Sequence, residues 1–227
     1  RVTHMTMTLH WGSGSPYAWT VLLALELKGM PYESRLLNLM AGEHKSPEFL
    51  AMNPRGKVPV LMHDGHAISE SLAILAYLEA VQPEPPLFGA TPIEKANIMA
   101  AVSALMAYVE APGIAIPYST FFLPWGEESQ AAIAAAARKV LPEMQRIDAL
   151  LATQDYLAGN TLTVADIRLY PMLQIIWRSQ RVQDKQGGVA DMKALERCHF
   201  PAIDRWCQRI EALPVYDKTY PPHWRKG

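Results

Sequence analysis

Two periods divide the chain. Up to about residue 85, short apolar runs alternate with stretches in which apolar residues recur every three or four positions. Met7 to Trp11 is a short apolar run and predicts a strand. Ser13-Gly14-Ser15-Pro16 reads as a turn, with Pro16 suited to the first helical position, where its missing N–H has no partner to lose. From Tyr17 to Lys28 the apolar residues fall at helical spacing, and Gly29 ends the helix. Tyr32 to Leu37 predicts a second strand, and Ser46 to Asn53 a short helix with Ser46 as N-cap. Lys57 to Met62 predicts a strand, although Pro59 cannot donate to a ladder and marks an edge, a bulge or a special turn. Asp64-Gly65 between apolar runs signals a hairpin, and Ser69 to Glu79 a third helix. The order β-α-β-α-β-β-α describes a small α/β layer.

Gln82-Pro83-Glu84-Pro85-Pro86 breaks all periodicity and reads as a linker. Beyond it, Ile93–Glu110, Glu128–Thr153, Val164–Gln180 and Pro201–Leu213 show helical spacing, the second rich in alanine. Pro112 to Pro124 mixes proline, glycine and aromatics and is expected to be an irregular loop. The expected organisation is an α/β domain over residues 5–82, a linker over 83–91 and an all-α domain over 92–227. Residues 1–4 read as foreign to the natural chain, with Met5 as its start, and they lack the pattern of a signal peptide.

Composition narrows the classes. Of 227 residues, 50% are hydrophobic and 19% charged, and the formal net charge is −1. That is ordinary for a globular protein and offers no basic excess for nucleic acid or an anionic membrane. No uninterrupted apolar run approaches the ~20 residues of a membrane helix. Cys198 and Cys207 form no Cys-x-x-Cys pattern and read as two free thiols in a reducing, cytoplasmic compartment.

Four places in the first domain carry candidate chemistry. The Ser13–Pro16 turn opens a helix, whose free N–H groups and partial positive charge suit an anion, a thiolate included; a serine hydroxyl there adds a donor. Taken alone, Ser15 reads more simply as a plain cap. A cis Val58–Pro59 bond turns the valine main chain sideways, ready to pair with an extended peptide, although an edge-strand proline is the simpler reading. Glu70 and Ser71 begin a helix and suit the ammonium and carboxylate of an amino-acid head group, or simply form its first turn. His44 and Lys45, in a polar loop, can meet a carboxylate or stay solvated. Thr163-Val164-Ala165-Asp166 reads as a structural capping box.

Order and spacing join these signals. The segments LHWGSGSPYAWTVLLALELKGMPYE (residues 9–33), GEHKSPEFLAMNPRGKVPVL (42–61), ISESLAILAYL (68–78), YLAGNTLTVADIRLYP (156–171) and FPAIDRWCQRIEALP (200–214) resemble the cytosolic glutathione transferases, and the resemblance spans nearly the whole chain. It implies a thioredoxin-like N-terminal domain followed by an all-α C-terminal domain, and a bacterial, serine-type enzyme with theta-like glutathione-site motifs. It also implies that Pro59 is the cis proline and that Val58 pairs with the cysteinyl backbone of glutathione. Lys57 and His44 would approach the glycyl carboxylate, and Glu70 and Ser71 would hold the γ-glutamyl head. The activating hydroxyl would be Ser15, with Ser13 second and Tyr17 third. His10 and Trp11 stand where tyrosine-type members carry their tyrosine, and Ser15-Pro16 where cysteine-type members carry Cys-Pro. No metal is called for. The second substrate, a small hydrophobic electrophile, is expected between the domains, with Trp11, Tyr108, Ile114, Phe121, Phe122 and Trp177 as wall residues. A homodimer is expected from the resemblance alone. Competing readings are a non-catalytic glutathione-fold binding module, a dehalogenase, and a glutathione-dependent isomerase, whose Ser-Ser-Cys stretch this turn lacks.

Overall fold

Alternation of buried and partly buried residues over Met7–Trp11 builds β1, with Met7, Leu9 and Trp11 turned inward. The computed structural model describes residues 7–226, so the reading of Met5 as the start lies outside the described residues. Helix α1 (Pro16–Leu27) is followed by β2 (Tyr32–Leu36), a 3-10 turn over Glu43–Lys45, and α2 (Pro47–Met52), capped by Ser46. Strands β3 (Val60–His63) and β4 (His66–Ser69) then lead into α3 (Ser71–Val81). The sheet order is β2-β1-β3-β4, with β2 parallel and β3 antiparallel to β1. Asp64 and Gly65 close the β3–β4 hairpin with φ of 50° and 77°, the left-handed pair that a tight two-residue turn uses. Strand β3 begins at Val60 rather than Lys57, because the main chain enters the ladder only past Pro59; the Val58–Pro59 bond is cis.

Helix α1 is buried over nearly its whole circumference, from Pro16 through Leu25 with only Tyr17 partly exposed. The sheet covers one side. Residues from the far end of the chain cover another, for α10 (Tyr216–Thr219) packs on α1. The Trp19 indole donates to Thr219 Oγ1 at 2.9 Å, and its ring meets those of Tyr220 and Trp224 edge-on at 5.7 and 5.6 Å. The described residues accordingly divide into 7–87 with 214–226, and 88–213. The tail, expected as the end of the helical domain, packs with the α/β unit because a helix apolar all round needs a second cover.

The second unit contains α4 (Pro92–Leu105), a π-helical turn over Met106–Glu110, α5 (Ala111–Gly113) and α6 (Ala115–Phe121). It continues through α7 (Glu127–Leu151), α8 (Val164–Asp184) and α9 (Pro201–Glu211). The stretch expected as an irregular loop from Pro112 is helical as far as Phe121. The wide turn before Pro112 accommodates its ring and missing N–H, and the helix restarts there. Against the expectation drawn from uninterrupted runs, the path Pro92–Phe121 is long and apolar enough to cross a membrane, its apolar 18-residue stretch having a mean hydropathy of 1.6. Within the unit, however, its Ile98, Val102, Leu105, Val109 and Ile116 are buried, and Glu110 forms a buried two-pronged ion pair with Arg168 at 2.6 and 2.8 Å. Asp166 is the hub of the capping box, with its carboxylate accepting from the N–H groups of Leu157 and Thr163, the Thr163 hydroxyl and the Trp206 indole at 2.8–2.9 Å. Burial pushes its carboxyl above the usual carboxylate range while these donors pull the other way.

Candidate functional site

Sheet topology brings the first-unit candidates to one edge. The C-terminal end of β1 runs into the Gly12–Ser15 turn and the start of α1. His10 pairs with Val60, so Lys57, Val58 and Pro59 run alongside that turn. Val60 pairs with Ser69, which places Glu70 and Ser71 next to Val58 and Pro59. Strand β2 leaves the sheet at the same end, where Leu37 N–H bonds to the Trp11 carbonyl at 2.8 Å, and leads to the His44 loop.

Each local conformation serves this gathering. Ser15 is an extended N-cap whose Oγ accepts the Ala18 N–H at 3.3 Å; its own O–H proton is free to donate elsewhere. Ser13 Oγ lies 2.6 Å from Nδ1 of His223. The Val58 main chain makes no hydrogen bond among the described residues, two positions ahead of the ladder that begins at Val60. Asn53 is buried and braces Lys57 by donating from Nδ2 to its carbonyl at 2.8 Å, leaving the Lys57 side chain exposed. Nδ1 of His44 is buried and makes no hydrogen bond. Burial lowers the pKa of His44, and the charges of Lys45 and Lys57 lower it further. Three basic side chains therefore face one locality.

Glu70 takes φ 67° and ψ 115°, a conformation a non-glycine residue holds at a cost of ~1–3 kcal/mol and one that concentrates at ligand sites. Its carboxylate is exposed and 3.7 Å from the Arg55 guanidinium. Ser71 is buried at the first position of α3. The edge thus presents two helix N-termini, an unpaired extended main-chain segment, a basic cluster and one exposed carboxylate. That is a match for an extended, doubly carboxylated peptide with an ammonium group.

The wall residues divide. Trp11 and Trp177 are buried. Trp11 is 8% exposed with its indole N–H on Ser34 Oγ at 2.8 Å, and Trp177 is 5% exposed with its N–H on the Leu195 carbonyl at 2.8 Å. Both lie at positions whose spacing turns them inward. Tyr108 and Phe122 are exposed large side chains, and Ile114 and Phe121 are partly exposed. Asn53, Arg55 and His223 escaped the sequence reading. Only Arg55, a cation shortly before the Lys57–Pro59 segment, carries a local signal. Cys198 is exposed and Cys207 buried, both free. Glu196, Cys198 and His199 bring ligand atoms within 4.8 Å of one another on a surface turn of the second unit, where the thiol already meets the carboxylate at 3.6 Å.

Comparison with known proteins matches the chain to two family models. Residues 14–81 match "Glutathione S-transferase, N-terminal domain" and residues 96–214 match "Glutathione S-transferase, C-terminal domain". A maleylacetoacetate isomerase from Pseudomonas aeruginosa is 31% identical, over 95% of this chain and 96% of its own length. Glutathione S-transferase 4 of Zea mays is 30% identical, over 90% of this chain and 87% of its own. Among solved structures, a glutathione S-transferase from the Antarctic clam Laternula elliptica superposes with a TM-score of 0.78 at 28% identity, covering 98% of this chain and 95% of that one.

Proposed function

The chain belongs to the glutathione S-transferase family, and on that footing we propose that it is a serine-type member, with theta-like glutathione-site motifs, that binds glutathione along the sheet edge and ionises its thiol at the mouth of α1. The observation that carries this reading is the convergence, on one edge, of the Ser15 cap, the unpaired Val58 main chain and the Glu70–Ser71 helix start. Val58 takes the cysteinyl backbone like an added strand. Glu70 holds the γ-glutamyl ammonium, while Ser71 and the α3 N-terminus hold its carboxylate. His44 and Lys57 take the glycyl carboxylate.

The thiol then lies at α1. A free thiol near pKa 8.5 is mostly protonated at neutral pH, and the thiolate is the nucleophile. One hydrogen bond to the charged sulfur contributes ~1.5–3 kcal/mol, and the helix dipole ~0.3–1 kcal/mol. At ~1.36 kcal/mol per pKa unit this suffices to make thiolate the major form near pH 7. No general base is needed for the attack on a held electrophile. Tyr108 and Phe121 are proposed to contact that electrophile, a small hydrophobic molecule, and the working form is proposed to be a cytoplasmic homodimer.

The test is retention on immobilised glutathione followed by turnover of a chromogenic aryl halide. No retention refutes the site; retention without turnover of any electrophile in a panel makes the chain a binding module. A second reading, glutathione-dependent isomerisation, is favoured by the 31% identity to the isomerase over nearly the full length of both chains. Its signature would be glutathione acting without being consumed.

A further inference from the structure

The turn that opens α1 is touched by the far end of the chain. Nδ1 of His223 lies 2.6 Å from the Ser13 hydroxyl. The same ring lies over Gly14, where an added Cβ would stand 2.8 Å from His223 Cε1 and 3.1 Å from Trp224 Nε1. Gly14 has φ 84°, a backbone region that favours glycine, so both its conformation and the space above it are committed to this contact.

His223 is carried there by an anchored segment. Before it, Thr219 accepts the Trp19 indole N–H at 2.9 Å and the Tyr220 ring meets that of Trp19 at 5.7 Å. After it, Trp224 is 6% exposed and meets Trp19 and Tyr220 edge-on at 5.6 and 6.0 Å. Arg225 binds Asp217 at 2.8 Å and lies 5.1 Å over the Tyr220 ring. Trp19 belongs to α1, so the segment is fixed to the helix whose first turn it touches. The His223 side chain itself is exposed, so its contact with Ser13 contributes little to the core.

We propose that His223 is a positioning residue for thiolate formation: the anchored segment Tyr220–Arg225 clamps the Ser13-Gly14-Ser15 turn, and His223 donates from Nδ1 to Ser13 Oγ, leaving the Ser13 O–H free to point at the sulfur. This rests on the reading of the turn as the thiolate site. The direction of the bond matters. An Nδ1 that accepted the serine proton would withdraw Ser13 from the sulfur, whereas an Nδ1–H leaves that proton available. A turn with glycine at positions 12 and 14 has backbone freedom that the clamp removes, and donors stabilise a developing anion best when they are already oriented.

The experiment uses the full chain with His223→Ala and His223→Asn, the latter able to keep a donor near Ser13. The readouts are the pH at which bound glutathione ionises, followed by ultraviolet thiolate absorbance, and kcat and KM with a chromogenic aryl halide. His223→Ala is expected to raise that pH and to lower kcat/KM by about three- to ten-fold at neutral pH, the factor one ordinary hydrogen bond carries. The loss should fade at alkaline pH, and His223→Asn should recover most of it. Unmoved ionisation in His223→Ala, or an equal loss in both variants, overturns the clamp. Should ionisation respond to Ser15→Ala but not to His223→Ala, the clamp fails and the thiolate site stands. Should the wild-type protein not bind glutathione at all, the thiolate site fails and the clamp falls with it.

Discussion

Replacing Ser15 by glycine separates the two tasks its hydroxyl is assigned. As a cap, Oγ accepts the Ala18 N–H at 3.3 Å, slightly beyond the usual range for such bonds. Glycine is itself an acceptable N-cap, so the expected loss of stability is only a few tenths of a kcal/mol, which shifts Tm by about 1–2 °C in a chain of this size. As a donor to sulfur, the same hydroxyl is worth ~1.5–3 kcal/mol, or roughly one to two pKa units of the bound thiol. At a pH below both ionisations, kcat/KM should therefore fall by about ten- to a hundred-fold. The pH profile discriminates: wild-type and variant curves should run parallel at low pH and converge at alkaline pH, where glutathione ionises unaided. Ser15→Thr, which keeps the hydroxyl, should stay near wild type. A Ser15→Gly profile that lies below wild type by the same factor at every pH would show that the hydroxyl does not set the thiol's ionisation. A large drop in Tm with an unmoved profile would make Ser15 a cap and nothing more.

Two further outcomes follow from the site and the core. Because burial and the two lysines hold the His44 pKa below its ordinary 6.5, and a ligand carboxylate favours the charged ring, binding should raise that pKa and take up a proton between the free and bound values. Affinity for S-methylglutathione, which has no thiol to release a proton, should strengthen as pH falls through this window. Calorimetry in buffers of different ionisation enthalpy measures the uptake, and an uptake that survives His44→Gln would refute the assignment. In the second unit, Asp166→Ala strands the four donors that now meet its carboxylate, two of them main-chain N–H groups, inside a buried site. The expected cost is about 3–5 kcal/mol and a fall in Tm of about 10 °C, followed by thermal unfolding; a shift within about 2 °C would contradict the count of stranded donors.

Elements with a strong local signal were legible. Met7–Trp11, the Ser46 cap and the Asp64-Gly65 turn all stand where periodicity and turn chemistry put them, because each is decided by a few adjacent residues. Errors fell where a distant partner decides. Lys28 closes the stretch of helical spacing with nothing local to announce its burial, yet it is 5% exposed. Its ammonium is held by Glu79 at 2.7 Å and by the carbonyls of Gln82 and Pro85 at 2.7 and 2.8 Å, which ties the linker back to α1. Pro112 suggested a loop, but a wide turn just before it restores the helical path, and proline content cannot announce such a turn.

The site shows the same division more sharply. Ser15, Val58, Pro59, Glu70 and Ser71 are legible as candidates because each sits in a short motif, and strand register brings those motifs to one edge. His223 has no motif. It reaches Ser13 across a sequence separation of 210 residues, so only the fold reveals the pair. One indirect signal did exist in α1. A helix packed on one face of a sheet keeps a polar side, whereas Ala18-Trp19-Thr20-Val21-Leu22-Leu23-Ala24-Leu25 offers none. Such a helix requires a second cover, and a tail carrying Tyr216, Tyr220 and Trp224 has the aromatic area to provide it. Once that tail is placed on Trp19, its anchors flank His223 and leave little choice about where the ring goes, which is the turn one helical step away.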